Sequence, residues 1–323
     1  MRAIIRKELA DHFGSTRFML LMALIFMAAF LGAYLAGNGV REILAGGASS
    51  HLADRTFLLI FTAPGILLSL VSFLALLGPM VGLVLGFDAI NRERNQGTLS
   101  KILSQPIYRD EVILGKYIAG FLTIAILLTA LMLLLIGIGL IGVGLVPTGN
   151  EILRLVIFWL ISLVYLGFWL GAAILLSIIF RSVATSALAS AALWIFLSFF
   201  VPILGQATAT AVVPIDDPSR PRAEELAAYD RVGRLVTLAS PPSMYSEAAS
   251  IILDPTHRGS EQNLKLSTMS RLDQFLLNRF QGILSISQSL ILVIPDLLVL
   301  ITFAVGTFIL SYIAFVKQEV RAV

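Results

Sequence analysis

The chain has 323 residues, of which 58% are hydrophobic and 13% are charged, and its formal net charge is +3. Soluble domains carry about 25% charged residues, so this composition excludes an ordinary soluble domain and indicates an integral membrane protein. Because the chain has no cysteine, disulfide bonds are excluded, and any segment outside the membrane must be held by packing.

Residues 1–17, which precede the first apolar run, are rich in charge. Three apolar residues recur four positions apart on one helical face, and three basic residues lie off it: Ile5, Leu9 and Phe13 against Arg2, Arg6 and Lys7. This pattern predicts an amphipathic helix in the membrane interface, with a simple cytosolic tail helix as the alternative.

A membrane span needs about 20 mostly apolar residues. Five charge-free runs satisfy this requirement: Phe18–Val40, Phe57–Phe87, Tyr117–Asn150, Leu155–Phe180 and Ser182–Ile215. A sixth run, Phe280–Val316, is interrupted only by Asp296. We therefore expect an all-α protein with six transmembrane helices, in which each long run forms one tilted span. The first run is longer than the apolar core of a cleavable signal peptide, and we expect it to be retained.

The distribution of Lys and Arg predicts the orientation, because both favour the cytoplasmic side. With the N-terminus inside, twelve lie in inner segments and three in short outer loops. The twelve are Arg2, Arg6, Lys7, Arg17, Arg92, Arg94, Lys101, Arg109, Lys116, Arg181, Lys317 and Arg321, and the three are Arg41, Arg55 and Arg154. We expect both termini inside, in the plasma membrane of a prokaryotic cell, with the basic face against anionic lipids and no nucleic-acid partner.

The segment 205–288 is polar and rich in proline, unlike the rest of the chain. Helical patches at Arg222–Leu238 and Ser243–Leu253 lie between the prolines. We expect a helical external segment here, between spans five and six. The predicted organisation is an interfacial helix at 1–17, spans one to five at 18–204 with a cytosolic loop at 88–116, this external segment, span six at 289–316 and a cytosolic tail at 317–323.

Small residues recur four apart within several spans, as at Gly78, Gly82 and Gly86. Such spacing lets helix backbones approach closely. We expect packing within one subunit, with a seam against a second copy of the chain as the alternative.

A charged island, Glu93–Lys116, separates two uncharged runs. Thr98, Leu99, Ile102 and Leu103 form an apolar stripe, Gly97 permits a bend, and Pro106 ends the helix. A short amphipathic helix at the inner surface can rest on lipid or dock into a groove of a partner.

The island resembles the first cytosolic loop of type-2 ATP-binding-cassette (ABC) exporter permeases. The matching residues, in fixed order, are Glu93, Gly97, Thr98, Leu99, Leu103, Pro106, Ile107, Arg109, Gly115 and Lys116. The ending at 315–321 is similar to tails of the branch that includes the permease of nitrous-oxide-reductase maturation.

The resemblance implies a coupling helix that inserts into a cleft of a separate ATPase subunit, present in two copies around a homodimer or heterodimer of permeases. The residues implied for coupling are Glu93, Gly97, Thr98, Leu99, Leu103, Pro106 and Arg109. Glu93 and Arg109 would make charged contacts with the ATPase, Leu99 and Leu103 would fill its groove, and Gly97 and Pro106 would shape the element. The chain has no G-x-x-x-x-G-K-[ST] motif, so ATP and Mg²⁺ would bind to the ATPase.

Asp296 is the one acid well inside an apolar run, and intramembrane acids are costly. It either caps a helix that resumes after Pro295 or serves in the cargo pathway or its gating. No catalytic set and no metal-ligand spacing of the three histidines is evident, so we do not expect an enzyme. An accessory or sensor module and an ion-coupled transporter remain the alternatives to an exporter subunit.

Overall fold

The computed structural model describes residues 1–45, 57–62, 69–98, 108–213, 223–254 and 284–317. Every regular element within these ranges is a helix. In chain order they are α1 (Arg2–Gly14), α2 (Thr16–Ala45), α3 (Leu59–Thr62), α4 (Leu70–Gly86), α5 (Asn91–Asn95), α6 (Arg109–Gly137), the π-helix π1 (Ile138–Val143), α7 (Gly149–Ile179), α8 (Val183–Ile195), the π-helix π2 (Phe196–Phe200), α9 (Val201–Val212), α10 (Ala223–Thr237), α11 (Pro241–Leu253) and α12 (Ile286–Lys317).

Six stretches of the described chain are long and apolar enough to cross a membrane. They begin with α2, α4, α6, α7, α8 and α12, and the fifth continues through π2 and α9. This confirms the prediction of an all-α protein with six spans. The fifth stretch ends at Val212 rather than at the expected boundary of 204.

The second apolar run gives one span, as predicted, but a shorter one than its length suggested. The spanning helix α4 begins at Leu70 because the Ser69 hydroxyl accepts a hydrogen bond from the backbone N–H of Ser72 at 3.2 Å. Such a cap satisfies one of the unpaired donors at a helix N-terminus. Phe57 belongs to a separate segment that precedes α4. Its backbone N–H donates a hydrogen bond to Glu151 Oε1 at 3.1 Å.

Helix α7 lies at the centre of the bundle and packs against α4, α6, α11 and α12. Its Tyr165 and Trp169 side chains are fully buried. A Cβ on Gly82 of α4 would lie 2.7 Å from the backbone nitrogen of Leu170, and one on Gly86 would lie 2.6 Å from the Cβ of Ala173. The glycine row of α4 therefore faces α7, which confirms packing within the subunit.

The part of the segment between spans five and six that the structure describes, 223–254, is helical, as predicted, but α11 does not lie outside the bundle. The ring of Tyr245 stacks on that of Tyr165 with centroids 4.3 Å apart, and its hydroxyl lies 3.0 Å from that of Ser162. Both partners belong to the middle of α7. The turn between α10 and α11 therefore lies inside the bundle, and α11 runs from it beside α7.

Arg154, expected in a short outer loop, lies inside α7 and is 4% exposed. Its guanidinium donates hydrogen bonds to the carbonyl of Ile252 at 2.8 Å, to the carbonyl of Leu284 and to the Ser289 hydroxyl at 3.2 Å. This cation thus joins α7, α11 and α12 and is not a surface charge that reports on orientation.

Replacing Gly82 by Ala should destabilise the bundle, because the new Cβ would overlap the backbone of α7. Overpacking of this kind costs about 1–3 kcal/mol. Reversible unfolding in mixed detergent micelles measures the change. Gly306→Ala in α12 is the matched control, since nothing lies within 4 Å of a Cβ there. Equal stabilities of the two variants would contradict the close α4–α7 contact.

Candidate coupling site

A turn, residues 87–90, leads from α4 into α5 and precedes the charged island. The Ser177 hydroxyl accepts hydrogen bonds from the backbone N–H groups of Ile90 at 3.0 Å and Asn91 at 3.2 Å. The Ser186 hydroxyl donates to the carbonyl of Phe87 at 2.7 Å. Groups from the end of α7 and the start of α8 therefore hold the turn that leads into the island.

A cluster of four charged side chains, the inner ion cluster (Lys7, Glu8, Glu93 and Lys116), joins α1, α5 and α6, and all of its members but Lys7 are buried. Lys116 Nζ donates to Glu8 Oε1 and to Glu93 Oε1, each at 2.9 Å, and the Lys116 side chain is 4% exposed. Lys7 Nζ reaches the same oxygens at 3.2 and 3.1 Å. Two carboxylates thus share two ammonium groups, which offsets the cost of burying these charges.

The position of α1 follows from its contact with α6. A Cβ on Gly115 would lie 2.9 Å from Ile4 Cγ2, so only glycine leaves room for α1 beside the first turns of α6. The residue of α1 that is buried is Glu8, whereas Phe13, on the predicted apolar stripe, is 39% exposed. The helix is therefore docked against α6, and its buried side carries a carboxylate in addition to apolar groups.

The electrostatics of the cluster favour its ionised form. Burial raises the pKa of Glu8, but the ammonium groups of Lys116 and Lys7 lower it more, and the result lies below the ordinary value. Burial lowers the pKa of Lys7, and the carboxylates of Glu8 and Glu93 outweigh this effect and raise it. The carboxylate of Glu8 and the ammonium of Lys7 therefore both remain charged near neutral pH.

For His12, one turn from Glu8 on α1, the surroundings favour the neutral form and not the charged one. Burial is the main cause that lowers its pKa, and the positive charge of Lys116 adds to it. The carboxylates of Glu8, Asp11 and Asp88 oppose this shift but do not reverse it. His12 is therefore neutral in the folded protein at neutral pH.

Three of the island residues named from the sequence, Glu93, Gly97 and Thr98, lie at or beside α5. Glu93 is 7% exposed and lies in the inner ion cluster, where its carboxylate faces Lys116 and not the protein surface, and its contact with an ATPase stays a prediction. Gly97 has φ +67°, in the left-handed region that glycine favours, at the predicted bend. The Thr98 hydroxyl donates to the carbonyl of Glu93 at 3.2 Å.

Arg109 is the first residue of α6, and its side chain is exposed. Leu99, Leu103 and Pro106 lie outside the described residues, as do 318–323 of the predicted tail. The assignment of a coupling role to the island therefore remains a prediction.

Asp296 lies apart from this site, toward the opposite end of the bundle. Helix α12 is continuous through Pro295 and Asp296, so the interpretation of Asp296 as a cap for a resuming helix is wrong. The side chain is fully buried, and Asp296 Oδ1 lies 3.3 Å from Arg234 Nη2 of α10. An ion pair thus stabilises this acid at a depth where an isolated charge would be costly.

Sequence reasoning missed Lys7, Glu8 and Arg234 as members of ion pairs. Lys116 offered a clue, because a lysine beside the long uncharged run that starts at Tyr117 needs a carboxylate once it is buried. Its partner Glu8 is 108 residues away in the chain, and no local pattern identifies it.

A groove of about 1010 Å³ lies beside the cluster, between the second half of α1 and α5. Its walls carry both signs of charge, including Lys7, Asp11, Asp88 and Arg92. Among the described residues, no group of three His, Cys, Asp or Glu side chains could hold a metal ion. The geometry suits contact with a protein surface rather than metal chemistry.

Comparison with known proteins identifies the family. A family model described as ABC-2 family transporter protein matches residues 2–320. The chain belongs to the ABC-2 transporter family. Membership confirms the resemblance seen in the charged island and, with six apolar helices, identifies a multi-pass membrane protein of the bacterial plasma membrane.

Two curated relatives align with part of this ABC-2 protein. Each is described as a probable ABC transporter permease protein NosY, one from Stutzerimonas stutzeri at 31% identity and one from Pseudomonas aeruginosa at 32%, both over 123 residues. The alignments cover 38% of this chain and 39% of each relative. The family and these relatives identify the chain as a permease subunit of an ABC transporter.

Replacing Lys116 by Met should destabilise the protein strongly, because Glu8 and Glu93 would lose their buried cation. Removing one partner of a buried ion pair costs about 3–5 kcal/mol. Lys7→Met is the control: the Lys7 side chain is 53% exposed, and exposed pairs contribute about 1 kcal/mol or less. Adding Glu8→Gln and Glu93→Gln to Lys116→Met should restore much of the loss in detergent unfolding. Similar losses for the two single lysine variants would contradict the central position of Lys116.

His12 should make the protein less stable in mild acid. Because its folded pKa is below the ordinary value of 6.5, the unfolded chain binds more protons, and the His12 contribution is lost as the pH falls below about 6.5. We expect the midpoint of detergent-induced unfolding to be lower at pH 5.5 than at pH 7.5. The difference should be larger for the native chain than for His12→Gln. Parallel profiles would show that His12 titrates normally.

Proposed function

We propose that this ABC-2 permease subunit couples ATP hydrolysis by a separate ATPase to export of a cargo across the plasma membrane. The observation that carries the proposal is the inner ion cluster, which ties the charged island to α1 and α6. In this view the α1 end of the bundle faces the cytoplasm, and the island is the contact through which the ATPase acts.

The fixed ends of the island support this role. At its start, the Ser177 and Ser186 hydroxyls hold the turn at 87–90. A few residues later, Glu93 is bonded to Lys116 of α6. Because α4 packs on α7 through glycine contacts, a displacement of the island would be passed to spans two, three and four and not absorbed locally.

Glu93 has a different role in this proposal from the one its motif suggested. It transmits force within the permease, while exposed groups make the contacts with the ATPase. Arg109, Leu99 and Leu103 are the residues we assign to these contacts. The groove between α1 and α5 offers a second surface, where a helix from the partner could dock against charges of both signs.

The proposed assembly has two ATPase subunits on a pair of permease subunits, with ATP and Mg²⁺ bound by the ATPases. The pair is either a homodimer or a heterodimer. The basic residues exposed at the α1 end support a cytoplasmic location of that end, because they suit anionic lipids: Arg2, Arg6, Arg17, Arg92 and Arg181.

Replacing Leu99 and Leu103 together by Ser should abolish binding of the ATPase, since the two side chains would no longer fill its groove. The measurement is affinity purification of the tagged chain from its native host in mild detergent, with quantification of ATPase subunits by mass spectrometry. We expect stoichiometric ATPase with the native chain and at least a tenfold loss, about 1.4 kcal/mol, with the double variant.

The matched control replaces Ile141 and Val146 by Ser, since both are apolar and highly exposed at the opposite end of the bundle. This control should retain the ATPase. Recovery of the intact native chain without any ATPase would contradict the proposal and favour an accessory module. Equal losses in both double variants would show that the effect is not specific to the island.

A further inference from the structure

The end of the bundle opposite the inner ion cluster contains a helical pair, α9 and α10, whose backbones are in close contact. A Cβ on Gly205 of α9 would lie 2.9 Å from Thr237 Cγ2 and 3.1 Å from the carbonyl oxygen of Gly233 on α10. A Cβ on Gly233 would lie 3.7 Å from that of Ala209. The two helices therefore form one packed unit, which we name the flap.

The flap is joined to the rest of the chain at two points that lie side by side. Before α9 the fifth span contains π2, and after α10 residues 238–240 lead into α11. The Ser240 hydroxyl donates to the carbonyl of Leu197, within π2, at 2.8 Å. Short π-helical segments inside long helices frequently mark functional sites. The two connections, π2 and residues 238–240, thus lie side by side at one level of the bundle, which is the arrangement a hinge between two rigid parts requires.

The fifth span makes incomplete polar contacts just inside this hinge. Ser190 Oγ, Trp194 Nε1 and Ser198 Oγ are buried, and none of them forms a hydrogen bond with the described residues. The three residues are spaced four positions apart, in α8 and π2. Buried polar groups without partners weaken packing, which lowers the cost of rearranging the fifth span at π2, where the flap begins.

An ion pair connects the flap to span six. Arg234 of α10 lies 3.3 Å from Asp296 of α12, and the Asp296 side chain is 1% exposed. Separating a carboxylate at this depth from its guanidinium is costly. The pair therefore opposes movement of the flap away from α12, while the hinge at π2 and Ser240 permits it.

We propose that the flap swings about the hinge formed by π2 and Ser240, and that Arg234–Asp296 is the latch that holds it against span six. Since this inference rests on the proposed export function, opening of the latch would accompany release of cargo at the end of the bundle opposite the coupling site. Arg234 and Asp296 would then be positioning residues for transport and not merely structural ones.

Pairs of spin labels test this proposal without a known cargo, because the native chain has no cysteine. Cysteines at Val212 of α9 and Leu298 of α12, both well exposed, report the distance from the flap to span six. A pair at Val212 and Leu235 reports distances within the flap. A pair at Leu160 and Leu298 reports the bundle itself.

Double electron–electron resonance on the full chain in nanodiscs, with and without Arg234→Gln, gives the three distance distributions. We expect the variant to lengthen or broaden only the Val212–Leu298 distribution. Arg234→Lys, which keeps the charge, should retain the native distribution. An unchanged Val212–Leu298 distribution in Arg234→Gln would overturn the latch. A change in either reference pair would overturn the flap as a separate unit.

A second experiment tests whether the latch opens during the ATPase cycle. In the purified complex with its ATPase, trapped with ATP and vanadate, the native Val212–Leu298 distribution should shift toward that of Arg234→Gln. If it does not shift, the latch has no part in the ATPase cycle, and this element of the proposal is wrong. A chain that purifies without an ATPase contradicts the proposed function instead, and the comparison of Arg234→Gln with the native chain still decides whether the latch exists.

Discussion

The architecture at the α1 end depends on one buried ammonium group. Lys116 is almost inaccessible to solvent, and its charge is tolerable only because Glu8 and Glu93 lie within hydrogen-bonding distance. These carboxylates come from α1 and α5, so the lysine fixes where both helices can lie relative to α6. Gly115, the preceding residue, makes the arrangement possible by leaving room for Ile4. The Gly-Lys pair that ends the charged island is therefore the point where three elements meet.

Helix α5 is held on both sides by contacts to long helices. The turn before it is held by hydroxyl groups of α7 and α8, and Glu93 within it is held by Lys116 of α6. The glycine row of α4 extends the close contact, because the backbones of α4 and α7 touch where a side chain would otherwise separate them. Movement of α5 thus requires movement of the spans that hold it.

Composition and hydropathy were sufficient to predict the all-α class and the six spans, because a lipid environment allows few alternatives for an apolar run. They could not place the side chains of the site. Glu93 matched a motif and looked like a surface contact, yet its partners come from helices that are distant in sequence. The position of Arg154 and the cap interpretation of Asp296 were wrong for the same reason: a charge next to or inside an apolar run does not reveal which remote group pairs with it. The polarity of the segment after span five indicated the helix α11 but concealed its burial, in which the Tyr245 hydroxyl and ring find partners in the middle of α7.

The two ends of the bundle hold their buried charges in different ways. At the α1 end, two lysines and two carboxylates share four short contacts, so loss of any single contact leaves the others in place. At the opposite end, Asp296 and Arg234 approach only to 3.3 Å, and the flap beside them is connected to the rest of the chain through a π-helix and a short turn. A cluster with several shared contacts resists deformation more than an ion pair between two helices does. In the proposed mechanism this asymmetry has a purpose, since force would enter at the end with the shared contacts and would produce a change of state at the end where Arg234 and Asp296 can separate.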